Sequence, residues 1–208
     1  MVPLAVTNDL PLELLDPFGL QSIVVIPIRS FALAKQRLGT ALDDGARKTL
    51  AQSLAETVAN ACGRLSAVVV SSDPDVVAWA TSHMFFTLAD PGSLNGAATI
   101  GREWAHAHQI QRVVLAHSDL PFADDLERVL APPVDVVLVP DRHEDGNPVL
   151  VVPAAGDFEF AYGPGSFHTH QERAHACGWR TFVLRDHALG FDVDEPDDLV
   201  LLQQPPQS

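Results

Sequence analysis

Five short runs of consecutive apolar residues, in IVVIP (23–27), SAVVV (66–70), RVVLA (112–116), DVVLV (135–139) and VLVV (149–152), constrain this chain more than any other feature. None alternates apolar with polar, so neither face of the strand each implies can look out to water. Strands of that kind suit a mostly parallel sheet covered on both sides. Between them lie stretches with helical spacing, such as Leu50, Leu54, Val58 and Ala61 at intervals of three and four. The pattern predicts strands over 23–28, 65–70, 84–88, 113–116, 134–139 and 149–152. It predicts helices from Asp43 and Asp44 to 61, from Asp73 and Pro74 to 82, and over 95–108 and 122–130. A further strand-like segment follows YGPGSF and leads to FDVDEPDDL. The expected fold is a single α/β domain, doubly wound, with helices on both faces of a mixed, mostly parallel sheet. Its 208 residues suit one domain over 21–208, preceded by an extension, 1–20, in which Pro3, Pro11 and Pro17 interrupt any pattern.

Charge narrows the function. With 13 Lys and Arg against 27 Asp and Glu, the chain carries a formal charge of −14 and has no cationic surface to spare for a nucleic acid. Its apolar runs are too short for a membrane span and its amino terminus is acidic and proline-broken, which points to a cytoplasmic protein. Cys62 and Cys177 stand far apart in helix-like surroundings, as two buried free thiols would.

Against that acidic background, Arg29, Lys35 and Arg37 crowd the segment just after the first strand, and Lys35 is one of only two lysines. In doubly wound folds the carboxyl ends of the strands carry the ligand, so this cationic loop is a phosphate-binding candidate. It lacks the G-x-x-x-x-G-K pattern of a P-loop. Asp119 follows the fourth strand in HSDLP, and Asp192 and Asp194 alternate with Val193 in FDVD, which places both carboxylates on one side of an extended segment. Three carboxylates without cysteine partners describe a site for a hard cation, most simply magnesium shared with substrate phosphates. Helix capping is the alternative role for Asp194, as it is for Ser166 in YGPGSF, a tight turn able to present backbone N–H groups to an anion. His168 and His170, two residues apart, do not share a helix face.

Taken in order, IPIRSFALAKQRL, VVVSSDP, GSLNGAA, HSDLP, PDR followed by a glycine, YGPGSF and FDVDEPDDL resemble the 2-phospho-L-lactate guanylyltransferase family of deazaflavin coenzyme F-420 biosynthesis, from about residue 23 to 202. The resemblance implies a Rossmann-like nucleotidyltransferase fold and transfer of GMP from GTP to the phosphate of a small phosphorylated carboxylic acid, with release of diphosphate. By position it implies Mg2+ on Asp119, Asp192 and Asp194 and triphosphate contacts from Lys35, Arg37 and Arg29. It places Ser71, Ser72, Leu94, Asn95 and Ala98 at the nucleotide, and Asn147, Pro148, Gly163 and Ser166 at the acceptor. Two segments depart from the family: Arg29 replaces a usual lysine, and Gly146-Asn147-Pro148 replaces Gly-Thr-Asn. The second change alters the acceptor pocket and favours 3-phosphoglycerate over 2-phospholactate and phosphoenolpyruvate. GNPVL also resembles the G-x-P-x-L loop of pterin-cofactor nucleotidyltransferases, although YGPGSF counts against that reading. A binding protein that senses a nucleotide or phosphometabolite without turnover is the rival from outside the enzymes. The oligomeric state stays open, a homodimer among the options.

Overall fold

The computed structural model describes residues 21–202, so the expected extension over 1–20 and the last six residues lie outside the described region. Strands β1 (Ser22–Pro27), β2 (Ala67–Val70), β3 (Phe86–Leu88), β4 (Arg112–Ala116), β5 (Val136–Val139), β6 (Val149–Pro153) and β7 (Thr181–Val183) form one sheet in the order β3-β2-β1-β4-β6-β5-β7. Only β6 runs against its neighbours, pairing antiparallel with both β4 and β5. Helices α1 (Asp44–Ala61), α2 (Pro74–Ser82), α3 (Leu94–Ala107), α4 (Ser166–Ala176) and α5 (Asp198–Leu201) complete the fold.

The doubly covered sheet follows from strand geometry, because successive side chains of β1 point to opposite faces. Val24 and Ile26 join a core with Ala55 and Val58 of α1 and Val76 of α2. Ile23 and Val25 join another with Ala97 and Trp104 of α3 and Phe167 of α4. Gly101 lets α3 lie flat on β1, since a Cβ there would stand 2.5 Å from Val25 Cγ1. Strand order reverses at β1, which has β2 on one side and β4 on the other. The crevice beyond Pro27 and Ala116 is therefore the switch point at which doubly wound sheets bind ligands.

Three expectations need correction. Residues 122–130 form no α-helix; only a 3-10 turn, Glu127–Leu130, is present. Asp125 accepts from the Glu127 N–H (2.8 Å), a local bond that competes with helical pairing. The strands expected over 65–70, 84–88 and 134–139 each begin two residues later. Cys62 is buried as expected, but Cys177 is half-exposed, and both are free. No helix among the described residues is long and apolar enough to cross a membrane.

Candidate active site

The cationic loop leaves β1 over the crevice and returns through a 3-10 turn, Gln36–Thr40. Leu38 of that turn is fully buried with Leu54 of α1 and with Phe191 and Val193 of the FDVD loop. This small apolar cluster fixes beside each other two segments that are far apart in sequence. Lys35 just before the turn is left-handed (φ 55°), and its side chain is only 8% exposed. Its ammonium reaches Asp119 Oδ2 at 2.5 Å, the Val193 carbonyl at 2.5 Å and Asp194 Oδ1 at 3.3 Å, which occupies all three of its hydrogens. Burial alone would lower the Lys35 pKa, but Asp119 and Asp194 outweigh it and hold the group above its ordinary value. Burial works likewise to raise Asp119, and Lys35 and His117 together outweigh it, so that carboxyl lies below its ordinary range. Arg37 stands at the rim, its side chain 71% exposed, 3.4 Å from Glu195 and 4.0 Å from Asp194. Arg29 is exposed and lines the same cleft of about 570 Å³ as Leu33, Lys35, Arg37 and Asp194.

FDVD belongs to no strand, yet its alternation holds. Val193 is fully buried while Asp192 and Asp194 are half-exposed, and Asp194 lines the cleft. Asp194 caps no helix; the bond runs the other way. Asp198, nearly fully buried at the start of α5, accepts from the Asp194 and Glu195 N–H groups at 2.8 Å each and from Arg142 Nη2 at 2.5 Å. Arg142 in turn lies over the Phe191 ring, 4.7 Å from its centroid. Asp198 and Arg142 thus clamp the loop that carries two of the three predicted carboxylates.

Among the described residues, no group of three or more His, Cys, Asp or Glu side chains is drawn together as a ready-made metal site. The ammonium of Lys35 lies between Asp119 and Asp194 instead. The donor chemistry nonetheless fits a hard divalent cation whose shell substrate phosphates would complete. Asp119 Oδ1 is buried without a hydrogen-bond partner among the described residues. Asp192 is pushed up to about 7 by its burial and then by Asp119 and Asp194, a surplus of negative charge that a cation would offset.

Beside the cationic loop, a second cleft of about 270 Å³ opens between the ends of β1 and β2 and the start of α3, with Arg29, Ser93, Leu94 and Ala97 in its wall. Of the residues expected at the nucleotide, Leu94 lines it. Ser72 accepts from the Asp90 N–H and Ser71 from the Asp73 N–H, so both shape the loops around it. Ala98 is fully buried in the core. Asn95 turns away: its Oδ1 accepts from the Tyr162 N–H (2.6 Å) and its Nδ2 donates to the Tyr162 carbonyl (3.4 Å). It clamps the YGPGSF turn to α3.

The residues expected at the acceptor gather across the sheet. Asp141 accepts from the N–H groups of His143, Asp145 and Gly146, and Asp145 accepts from that of Gly165, so the loop before β6 is tied to the turn before α4. Gly165, in the left-handed region (φ 71°), is the residue before α4, and Ser166 is buried within its first turn and caps nothing. Gly163 (φ 136°) is exposed at the turn. Pro148 is buried, its carbonyl accepting from the His117 N–H at 2.9 Å. Asn147 is buried, with Oδ1 on His170 Nδ1 at 2.9 Å. The sequence pattern assigns no role to His117, Tyr162, His170, Arg142 or Asp198. His117 and Tyr162 stand inside HSDLP and YGPGSF, Arg142 inside PDR and Asp198 inside FDVDEPDDL.

Residues 22–203 match the family model described as "Guanylyl transferase CofC like". Named phosphoenolpyruvate guanylyltransferases are similar to this chain: that of Sphaerobacter thermophilus is 34% identical over 86% of this chain and 90% of its own length, and that of Conexibacter woesei 31% over 89% and 88%. The 2-phospho-L-lactate guanylyltransferase of Methanothermobacter thermautotrophicus is 29% identical over 86% of this chain and 83% of its own. In fold, the chain is similar to a putative nucleotide-diphospho-sugar transferase from Desulfovibrio desulfuricans, with a TM-score of 0.73, 15% identity and coverage of 90% and 89%. A nucleotidyl transferase from Methanothermobacter gives a TM-score of 0.56 at 12% identity, with coverage of 88% and 95%.

Proposed function

Because this chain belongs to the CofC-like guanylyl transferase family and is a nucleotidyltransferase, we propose that it moves GMP from GTP to the phosphate of a small phosphorylated carboxylic acid and releases diphosphate, in deazaflavin coenzyme biosynthesis. The observation that carries the reading is the meeting of Lys35 with Asp119 and Asp194 at the switch point, cation and carboxylates in one cleft. The reaction needs no covalent enzyme intermediate. An oxygen of the acceptor phosphate attacks the α-phosphorus, the bond to the bridging oxygen breaks, and diphosphate carries the electron pair away. A phosphate dianion is already a nucleophile, so the protein has to align two anions and offset their repulsion. Lys35 and Arg37, with Arg29 beside them, stabilise charge on the departing diphosphate. The cleft walled by Leu94 and Ala97 takes the nucleoside, and the turn of Gly163 and Ser166 faces the acceptor. Magnesium held by Asp119, Asp192 and Asp194 would supply charge neutralisation between the two phosphates.

Diphosphate release from GTP with magnesium, measured with phosphoenolpyruvate, 2-phospholactate and 3-phosphoglycerate and repeated with ATP and CTP, tests this. Phosphoenolpyruvate heads the panel because the more similar relatives carry that name. Turnover with GTP and one of the acids is expected. Silence across the panel, with GTP still bound, would put a non-catalytic nucleotide-binding role ahead.

A further inference from the structure

We infer that His117, Asn147 and Tyr162 form a hydrogen-bonding wall that selects the acceptor, and that His170 is a positioning residue that aims the Asn147 amide into it. The inference rests on the guanylyl-transfer reading and adds residues and a selection rule to its acceptor end. Three buried polar atoms there have no partner among the described residues: His117 Nε2, Asn147 Nδ2 and the Tyr162 hydroxyl. They belong to one connected patch. The His117 N–H donates to the Pro148 carbonyl, which puts it next to Asn147 across the β4–β6 pair. Its ring centroid lies 5.4 Å from that of Tyr162, and Tyr162 lies 4.8 Å from His170.

The orientation of the amide follows from the bonds around it. Ala161 N–H donates to His170 Nε2 at 2.7 Å, so that nitrogen carries the lone pair and Nδ1 carries the hydrogen. Nδ1–H then needs an acceptor, which makes Oδ1 the Asn147 atom 2.9 Å away and leaves Nδ2 pointing elsewhere with both hydrogens free. Tyr162 is held just as firmly, its N–H and carbonyl both bonded to Asn95. Buried polar atoms are nearly always paired, and three neighbours left unpaired on a rigid frame mark what a bound molecule completes. Asn147 Nδ2 can only donate, while the hydroxyl and imidazole can donate or accept. The matching chemistry is an oxygen on the carbon skeleton of the phospho-acid, whose phosphate lies toward Asp119, two residues beyond His117. Either its carboxylate or a hydroxyl supplies that oxygen.

The test compares acceptor and GTP KM for the full-length wild type, Tyr162→Phe, Asn147→Leu, His170→Gln and the double variant His170→Gln/Asn147→Leu. The acceptors are phosphoenolpyruvate (carboxylate alone), 3-phosphoglycerate (carboxylate and hydroxyl) and glycerol 3-phosphate (hydroxyls alone). Tyr162→Phe deletes one unpartnered oxygen, so it should leave the thermal midpoint level or higher, whereas acceptor KM rises about tenfold and GTP KM stays put. The double variant should lose no more than Asn147→Leu alone, because His170 acts through that amide. A penalty shared by the two acids assigns the oxygen to the carboxylate, and one confined to the hydroxylated pair assigns it to the hydroxyl. Wild-type turnover with unaltered acceptor KM in both Tyr162→Phe and Asn147→Leu would overturn this inference alone. Absence of wild-type turnover with every acceptor, 2-phospholactate included, would overturn the guanylyl-transfer reading and this inference with it.

Discussion

At the end of β1, the ammonium of Lys35 has each of its hydrogens on an oxygen of the protein itself, whereas beside β6 Asn147, Tyr162 and His117 each leave a buried polar atom without a partner among the described residues. A ligand meets these two regions on different terms. At the charged end it must exchange existing bonds for new ones, so much of its attraction is spent on replacing Asp119 and Asp194 around Lys35. At the neutral end it completes bonds that nothing else makes. The charged end is thus suited to lowering a barrier by shifting charge during reaction, and the neutral end to telling one small acid from another.

Breaking the charged end has the largest expected effect. Lys35→Met leaves Asp119 facing Asp192 and Asp194 with no cation between them. Turnover should fall roughly a hundredfold to a thousandfold. Because the pair of Lys35 and Asp119 is largely buried, 8% and 20% exposed, stability should fall by about 3–5 kcal/mol. Stopped assays and urea midpoints check the two quantities separately. Lys35→Arg, which keeps the charge, should recover stability better than turnover, because a planar fork cannot place three donors where a tetrahedral ammonium does.

The neutral end answers to pH instead. Burial, then Arg173 and His117, push His170 down to about 4 from the ordinary 6.5. With the folded pKa below the unfolded one, the unfolded chain takes up the proton first as pH falls. The contribution of His170 is therefore whole above about 6.5 and lost between there and 4, on the order of 3 kcal/mol over the full window. Carboxylates titrate over the lower part of that range, so the measurement is the difference in unfolding free energy between wild type and His170→Gln at pH 7 and at pH 5. The difference should shrink at the lower pH. If it stays constant, His170 is not held neutral and the amide it orients is not fixed.

A clamp outside both ends comes next. Asp198 accepts three bonds that hold the Asp194 loop, and an asparagine there can accept at only one of its two terminal atoms. Asp198→Asn should cost about 2 kcal/mol. The displacement of Asp194 should lower kcat about tenfold, with acceptor KM little changed. A change confined to acceptor KM would place this loop at the neutral end instead.

The comparison also explains what could be read from the residues alone. The apolar runs of β1, β2, β4, β5 and β6 announce themselves because a strand buried on both faces tolerates no polar residue. The cationic loop stands out because positive charge is scarce in this chain. β7, the strand-like segment expected between YGPGSF and FDVDEPDDL, is marked more weakly: Thr181–Val183 is an edge strand with Phe182 exposed. The 122–130 segment reads as a helix until Asp125 bonds its own backbone. Most of the neutral end is hidden for a different reason. His117, Tyr162 and His170 are ordinary core types, and nothing in their spacing says that their polar atoms converge with Asn147. Such a cluster is defined by the partners its members lack, which is a property of the packed molecule rather than of a motif. The pairing of Lys35 with Asp119 and Asp194 lies between these cases: the residues were evident, and their contact was not.

Arg37 sharpens the comparison with the smallest effect. Its side chain is 71% exposed and its bond to Glu195 is 3.4 Å, the geometry of a surface pair that contributes about 0–1 kcal/mol. Arg37→Ala should therefore leave the urea midpoint almost unmoved. If the guanidinium meets the triphosphate, GTP KM should rise about threefold to tenfold, and the gap from wild type should close as salt is raised, because rim charges are screened over roughly 10 Å at 0.1 M. The acceptor KM should not follow, since the acceptor is read by His117, Asn147 and Tyr162. A salt-independent loss, or one shared equally by GTP and acceptor, would mean that Arg37 works through Glu195 and Asp194 rather than on the nucleotide. The charged end would then close with Lys35, its cation already committed to the protein, and Arg29 would be left, among the described residues, as the free cation at the rim.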